Sequence, residues 1–453
     1  MLGNKINFTS LGCPRNLVDS EVMLGILMKS GYEITPYLGE ADYLIVNTCG
    51  FLKASRDESK SVIEELLESR KKGAKVIVTG CMAQTHQAQI REAYPEIGSI
   101  LGSGDIESIL KAIQQESPAD FVTSARSYLI QGEVPRVLTT PKHYAYLKIA
   151  EGCRKRCSFC IIPKIKGPLR SKSVEQITKE FKILLAQGVQ EVILIAQDLG
   201  DFGKDLGHEE GYLKELLREI LKIEGDYWIR LLYIYPDEID EELVDLIAEN
   251  PKILPYLDMP IQHINSRILQ KMRRKTSKED IVAVMNLLKE KLPDVVIRTS
   301  LMVGFPSETD QEFEELCAFV KENPLDNVGV FQFSQEEGSA AYSMEDQIPS
   351  NVKEKRYNRL MKILKKQSKQ QNQRWVGKTL EVFVEGYHPE SQFLMRGRFF
   401  GQSPEIDGLV IINDHQKVDA FGKKYLVEIT EALEYDLVGR VLNPVKTSSL
   451  ALL

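Results

Sequence analysis

The chain has 453 residues, 43% hydrophobic and 27% charged, with a formal net charge of −7 and a pI near 5.7. That length predicts roughly two to four domains, and the acidic balance argues against broad nucleic-acid affinity, a local basic patch aside. No apolar run is long enough to span a bilayer, residues 1–13 lack an export-signal pattern, and seven cysteines, six of them in two groups, fit a reducing compartment; a cytoplasmic protein without membrane contact is expected.

Residues 4–115 alternate strand and helix. Short apolar strands are predicted over 6–11, 43–47 and 76–79, with helices over 16–30 and 55–72 and helical pieces after Cys81. Such alternation implies a parallel sheet covered by helices. Cys13, Cys49 and Cys81 each follow one of these strands by one or two residues. The carboxyl ends of parallel strands share one edge, where ligands bind, so topology would gather three cysteines far apart in sequence. Three small buried cysteines are the plainer alternative; three equivalent positions favour a metal site. Asn16, Asp19, Ser20 and Glu21 lie close by, and helix capping or first-turn charge accounts for Asp19 to Glu21 as well as any functional role.

Residues 116–142, with Pro118, Gly132, Pro135 and Pro141, show little periodicity and read as a linker. From 143 to 370, strands are predicted over 144–150, 191–196, 228–234, 255–259, 295–303 and 328–333. Helices are predicted between them over 174–187, 212–223, 239–250, 278–291 and 310–322. Six such units predict a partial (β/α)6 barrel, whose catalytic groups belong at the C-terminal strand ends.

Cys153, Cys157 and Cys160 stand in the pattern C-x₃-C-x₂-C directly after the first of these strands. Three thiolates so close suit a [4Fe–4S] cube with one iron left open for chemistry. Structural zinc is the alternative, but no His or Cys follows within the next forty residues to complete it. Other strand ends place Gln197 and Asp198, Tyr235 and Pro236, residues 260–263, and Gly304 to Pro306 with Glu308 on the same rim. His263 is the one imidazole there, read as structural before catalytic; Cys317, in phase with Phe313, Leu316 and Val320, is read as core.

A basic helix over 351–374 is expected to pack on the barrel with its charges in solvent. Residues 371–442 then hold five short strands, over 380–385, 393–399, 409–412, 425–430 and 437–442, which predict a small OB-like β-barrel. Between Asn372 and Val441, eight Lys or Arg stand against eleven Asp or Glu, a net charge of about −3. RNA binding is usually carried by a basic surface, so an acidic module suits a basic protein partner.

The run Cys153-Arg-Lys-Arg-Cys157-Ser-Phe159-Cys160 resembles the signature of radical S-adenosylmethionine (SAM) enzymes, and residues 299–309, around Gly304, resemble that family's later SAM-side segment. With Cys13, Cys49 and Cys81 upstream, the whole chain resembles the methylthiotransferases, and its last module the TRAM domain. The segments Ser10-Leu-Gly-Cys13-Pro14-Arg-Asn16 and Tyr256-Leu-Asp-Met-Pro-Ile-Gln262-His263 resemble the branch acting on a ribosomal protein. The resemblance implies two [4Fe–4S] clusters, one on Cys153, Cys157 and Cys160 binding SAM, the other an auxiliary cluster on Cys13, Cys49 and Cys81. It also implies Phe159 near the adenine and Gly304 beside SAM, with no polar catalytic residue assigned. The implied reaction is methylthiolation of the β-carbon of an aspartate in ribosomal protein uS12. It would need an electron donor such as flavodoxin or ferredoxin and a sulfur donor, with nucleic acid not the substrate. A tRNA adenosine as substrate, and a non-catalytic two-cluster scaffold or electron carrier, are the alternatives. Where many relatives carry Arg, this chain has Lys166 and Lys172; the bidentate fork is lost, so neither is assigned an anion.

Overall fold

The computed structural model describes residues 3–123 and 135–445. The first layer contains β1 (Lys5–Ser10), α1 (Pro14–Lys29), β2 (Glu33–Ile34), β3 (Tyr43–Thr48), α2 (Lys53–Ser69), β4 (Lys75–Gly80), α3 (Cys81–Ala93), β5 (Ser99–Leu101), α4 (Ile109–Gln114) and β6 (Ala119–Phe121). All six strands are parallel, in the order β2-β1-β3-β4-β5-β6. Alternate side chains face opposite ways, as a pleated strand demands. Ile45 and Ile77 pack with Met23 of α1 and Ile113 of α4, whereas Val46 and Val78 pack with Ile63 of α2 and Ile90 of α3. The sheet is therefore doubly wound, and its strand order reverses between β1 and β3. Such a switch point is where a ligand crevice opens.

Two readings of the first segment change. Proline at 118 does not end the domain, because β6 pairs with β5 beyond residue 115 and extends the sheet into the expected linker. Asp19 and Glu21 serve no cap: α1 has no acidic group in its first turn, and both carboxylates are buried in ion pairs described below. The part of the expected linker at 124–134, Gly132 included, lies outside the described residues.

The central body contains β7 (Tyr144–Lys148), β8 (Ala150–Glu151), α5 (Ile162–Lys166), β9 (Arg170–Ser171), α6 (Val174–Ala186), β10 (Glu191–Ile195), α7 (Leu213–Leu221), β11 (Trp228–Leu231), α8 (Glu241–Glu249) and β12 (Ile253–Asp258). It continues with α9 (Ser266–Lys271), α10 (Lys278–Lys291), β13 (Val296–Val303), α11 (Asp310–Glu322), β14 (Asn327–Gln332) and α12 (Ser350–Asn372). The strands β7-β10-β11-β12-β13-β14 are all parallel and lie in chain order, the open barrel that six strand–helix units imply. Capping boxes at Ser173, Ser277 and Thr309 start α6, α10 and α11. Cys317 is buried inside α11, as its phase requires. On α12, Leu360 and Leu364 face the barrel and Lys355, Lys362, Lys365, Lys366 and Lys369 point outward, but not all its charges lie in solvent: Lys353 donates to the Phe333 carbonyl and Arg356 is buried on Glu308.

The last body is a closed barrel of β15 (Thr379–His388), β16 (Ser391–Phe399), β17 (Val410–Asp414), β18 (Lys423–Ala432) and β19 (Leu437–Pro444). It packs against the concave side of the central sheet. Val382, Phe383 and Phe399 share one apolar cluster with Tyr144, Trp228, Leu254 and Val296, all at strand starts. The N-terminal end of the central barrel is thereby closed, and its rim is left at the C-terminal strand ends. At the same junction Glu191 is fully buried between Arg230 at 2.6 Å and Arg398 at 2.9 Å.

Burial would raise the Glu191 carboxyl, but the two guanidiniums outweigh it and hold it down at about 2. The pairing therefore contributes in full above about pH 4.5 and is lost as pH falls from there toward 2, a stake of about 3 kcal/mol. The chain's two tryptophans, Trp228 and Trp375, both sit in this junction, so tryptophan fluorescence in an acid titration reads it directly. Glu191→Gln is expected to weaken the junction at pH 7 and to flatten the acid limb between pH 4.5 and 2; an unchanged slope would assign the acid sensitivity elsewhere.

Candidate cluster and cofactor site

Each cysteine group is gathered by the fold. Cys13 is the N-cap of α1, Cys49 directly follows β3, and Cys81 opens α3. Cys13 lies three residues past its strand and not two, because β1 ends at Ser10. Cys13 and Cys49 thus flank the switch point. Gly12, at φ +91°, leaves room there: a β-carbon at this residue would come within 3.1 Å of the Cys49 sulfur. Charge on Cys13 and Cys49 reaches Cys81, whose thiol burial pushes up to about 12. Burial also opposes ionisation of Cys13, but Arg15 and the Asn16 N–H prevail and lower it.

The second triad lies on the loop between β8 and α5. The short ladder of β8 with β9 pins the base of this loop, and the Cys153 N–H bonds the Gly167 carbonyl at 3.3 Å. Gly152, at φ +77°, passes so close to Pro168 that a β-carbon would meet its carbonyl oxygen at 2.1 Å. Ser158 anchors the middle of the loop through its N–H to Met272 and its hydroxyl to the Lys271 carbonyl. Burial pushes the thiols of both Cys153 and Cys160 up to about 12, with the neighbouring cysteines adding to the rise. Around the sulfurs stand the Ile162 N–H, 3.4 Å from Cys160, and the Tyr235 hydroxyl, 3.5 Å from Cys157.

The spacing of the sulfurs distinguishes the two metal readings. A tetrahedral zinc with Zn–S near 2.3 Å holds its sulfurs about 3.8 Å apart. Among the described residues, neither triad has all three sulfurs within 4.8 Å of one another. Both are too open for a single ion and suit a larger object held at its corners. The three-carboxylate group that is compact enough, Asp198, Asp201 and Glu238, is taken up by Lys155 and Lys204. Burial pushes the Asp198 carboxyl up to about 7.

Phe159 packs beside Ile268, Met272, Phe305 and Phe333, so it lies next to the residue that follows Gly304. Gly304 itself is left-handed, at φ +73°, and donates its N–H to Glu308. Glu308 also receives Arg356 at 2.9 Å and lies 3.4 Å from His263, whose other ring nitrogen accepts the Asn265 N–H. His263 is thus fully buried and partnered on both sides. On the concave side, the Tyr146 hydroxyl, Gln197 Oε1 and Asp258 Oδ2 are buried without a hydrogen-bond partner among the described residues. Buried polar groups are rarely left so, and a polar ligand in the barrel mouth would satisfy them.

Two features of the site are not visible as motifs. Arg15 donates to the Ala196 carbonyl at 2.7 Å, lies 4.7 Å above the Tyr233 ring and bonds the Cys13 sulfur. Its charge also opposes the burial-driven rise at Cys160, so one guanidinium acts on both triads. Beside it, Asp19 of α1 binds Lys148 of β7 and Lys166 of α5, and both lysines bind Glu151, at 3.3 and 2.8 Å. Lys166, which the sequence leaves without a role, is a buried strut between the domains. A lysine inside the otherwise apolar run of β7 was the available signal for this network.

The open parallel barrel with three cysteines on the loop after its first strand defines a radical SAM enzyme. Family models agree: the Radical SAM superfamily matches residues 147–320, the Uncharacterized protein family UPF0004 residues 5–102, and the TRAM domain residues 376–442. The chain is 60% identical to the ribosomal protein uS12 methylthiotransferase RimO of Protochlamydia amoebophila, over 97% of this chain and 93% of that one. It is 43% identical to the RimO of Bdellovibrio bacteriovorus, over 97% of each. The fold is shared with the radical SAM methyltransferase TsrM of Kitasatospora setae, with a TM-score of 0.54 over 73% of this chain and 75% of that chain at 17% identity. This chain belongs to the uS12 methylthiotransferase family of radical SAM enzymes.

Removing one partner of a buried ion pair strands the others at a cost of about 3 to 5 kcal/mol. Asp19→Ala is therefore expected to lower the urea midpoint by that equivalent and to open the 135–143 segment, which runs from the first domain into β7, to limited proteolysis. Wild-type proteolysis in this variant would mean that the network does not join the domains.

Proposed function

We propose that the protein is a cytoplasmic methylthiotransferase that places a methylthio group on the β-carbon of an aspartate in ribosomal protein uS12. The observation that carries the reading is the meeting of two open cysteine triads across one domain junction, in a chain 60% identical to a uS12 methylthiotransferase. Cys153, Cys157 and Cys160 would hold the SAM-binding cluster, and Cys13, Cys49 and Cys81 would hold the auxiliary cluster at the switch point. When bound, these groups supply a 5′-deoxyadenosyl radical able to take hydrogen from an unactivated carbon, together with the sulfur and methyl group that replace it.

The chain's own residues hold, orient and exclude. Phe159 and Gly304 would line the SAM side, where the left-handed glycine lets the Lys353 side chain pack against the strand end. Arg15 places positive charge between the two sets of sulfurs, lowering Cys13 and opposing the burial-driven rise at Cys160, which favours the thiolate form that ligation needs. The C-terminal barrel closes the far end of the central barrel against water. Its net charge of about −3 supports a basic protein partner over RNA. An electron donor such as flavodoxin or ferredoxin and a sulfur donor complete the reaction; no helix is long and apolar enough to cross a membrane.

Two measurements test the reading. Changing Cys13, Cys49 and Cys81 together to Ala is expected to halve the iron and sulfide of the anaerobically reconstituted protein, and changing Cys153, Cys157 and Cys160 to remove the other half; unchanged iron in either would remove that cluster assignment. In a deletion strain, mass spectrometry of uS12 is expected to show the aspartate without its methylthio group while digested tRNA is unaltered. Modified uS12 with unmodified tRNA would instead establish the adenosine substrate.

A further inference from the structure

The outer side of the cluster loop carries a charge pattern that the reaction above leaves unused. Of the three residues between Cys153 and Cys157, Lys155 turns inward to Asp198 and Glu238, while Arg154 and Arg156 are exposed. Across a cleft of about 390 Å³, the exposed Arg273 and Lys275 follow α9. No ion pair engages these four cations among the described residues, in a chain whose net charge is −7. The acidic groups lining the cleft, Asp201, Asp237 and Glu238, are held by Lys155 and Lys204, and Glu209 is exposed beside them.

Cys157 lines the same cleft. Its sulfur lies 3.5 Å from the Tyr235 hydroxyl and 4.0 Å from Arg274, whose guanidinium stacks 3.8 Å above the Tyr235 ring. The unpaired positive surface therefore rims the cleft whose floor includes one of the three loop cysteines, buried Cys157. A nucleic-acid contact has no reason to be centred on that sulfur, whereas electron transfer depends on closeness to it.

We propose that Arg154, Arg156, Arg273 and Lys275 form the docking surface for a small acidic electron-transfer protein, a reduced flavodoxin, which delivers its electron at Cys157. The proposal rests on the assignment of Cys153, Cys157 and Cys160 as cluster ligands. One electron passes: the donor's two-electron-reduced flavin becomes one-electron-reduced, and the cluster goes from its 2+ to its 1+ state with no other bond made or broken. Electron-transfer encounters are small and transient, and their rates are set by complementary charge and fall with salt. Four unpaired cations around a shallow cleft provide that.

The test uses the reconstituted holoenzyme and a variant carrying Arg154→Glu, Arg156→Glu, Arg273→Glu and Lys275→Glu. Cluster reduction is followed by stopped-flow bleaching and by electron paramagnetic resonance, with photoreduced deazaflavin and with pre-reduced flavodoxin. Deazaflavin is expected to reduce both proteins alike. Flavodoxin is expected to reduce the variant roughly tenfold more slowly at low salt, with its salt dependence gone. An equal flavodoxin rate and salt slope in the two proteins would overturn the proposal. So would an equal rate with lost affinity for small ribosomal subunits, which would assign the surface to RNA. A parent protein with no cluster reducible by deazaflavin would remove the ligand assignment first, and this surface with it.

Discussion

Four buried charges, Asp19, Lys148, Glu151 and Lys166, set the geometry on which the rest depends. Each belongs to a segment that carries or frames a cysteine triad. Asp19 is on the helix that Cys13 caps; Glu151 lies two residues before Cys153; Lys166 ends the helix after Cys160; Lys148 is in the strand that leads into the loop. Burial alone would raise the Asp19 carboxyl, but the two lysines lower it, so the network stays charged. Buried ion pairs seldom add much net stability, since desolvation consumes the Coulombic gain. What they fix is register. Asp19 and Glu151 each pair with both Lys148 and Lys166, so the segments that carry the two triads are held side by side.

The same economy of charge shapes the thiolates. Overall the protein is acidic, yet the sulfurs are met by cations: Arg15 and Lys166 at Cys13, Arg15 and Arg274 at Cys160, Arg274 at Cys157. Burial pushes thiols toward the neutral form, which cannot ligate iron; nearby positive charge opposes that, outweighing it at Cys13 and only partly offsetting it at Cys160. Contacts behind the ligands orient and tune a metal group as much as the ligands do. Arg15 is notable because it acts on both triads and is itself held by the Ala196 carbonyl and the Tyr233 ring. Tyr233 stands at φ +66°, a left-handed conformation costly for a tyrosine, at the end of β11 beneath that guanidinium.

How much of this was legible depended on whether the information was local. Helices α10 and α11 were read to their ends because a capping box and an apolar stripe mark each one. Cysteine spacing after strands revealed both triads, since parallel topology converts a position in the chain into a place on an edge. The two-residue strands β8 and β9 and the three-residue β6 carry too little pattern to register, although β8 and β9 pin the cluster loop. Asp19 and Glu21 looked like first-turn charges because a one-dimensional reading credits the nearest structure. Their actual partners are Lys148, Lys166 and Arg136, more than a hundred residues away. Long-range ion pairs have no sequence signature beyond an ill-placed charge, as Lys148 is in β7.

The three cysteines of the loop, equivalent in the motif, are not equivalent in the fold. Cys160 is directed to the first domain, where Arg15 and then Cys13 lie. Cys157 is directed to the cleft through Tyr235 and Arg274. Cys153 is held between the Gly167 carbonyl and the buried Asp198. A cluster held by all three would therefore have one side toward the first domain and another toward the cleft. In the barrel mouth, the Tyr146 hydroxyl, Gln197 Oε1 and Asp258 Oδ2 are buried without a hydrogen-bond partner among the described residues. The separation matters chemically. An electron, a sulfur and a substrate can each arrive along a different approach, so no delivery has to displace another. The loop can hold these directions apart because Gly152 turns it sharply, Ser158 ties its middle to α9, and the four-charge network fixes its two ends.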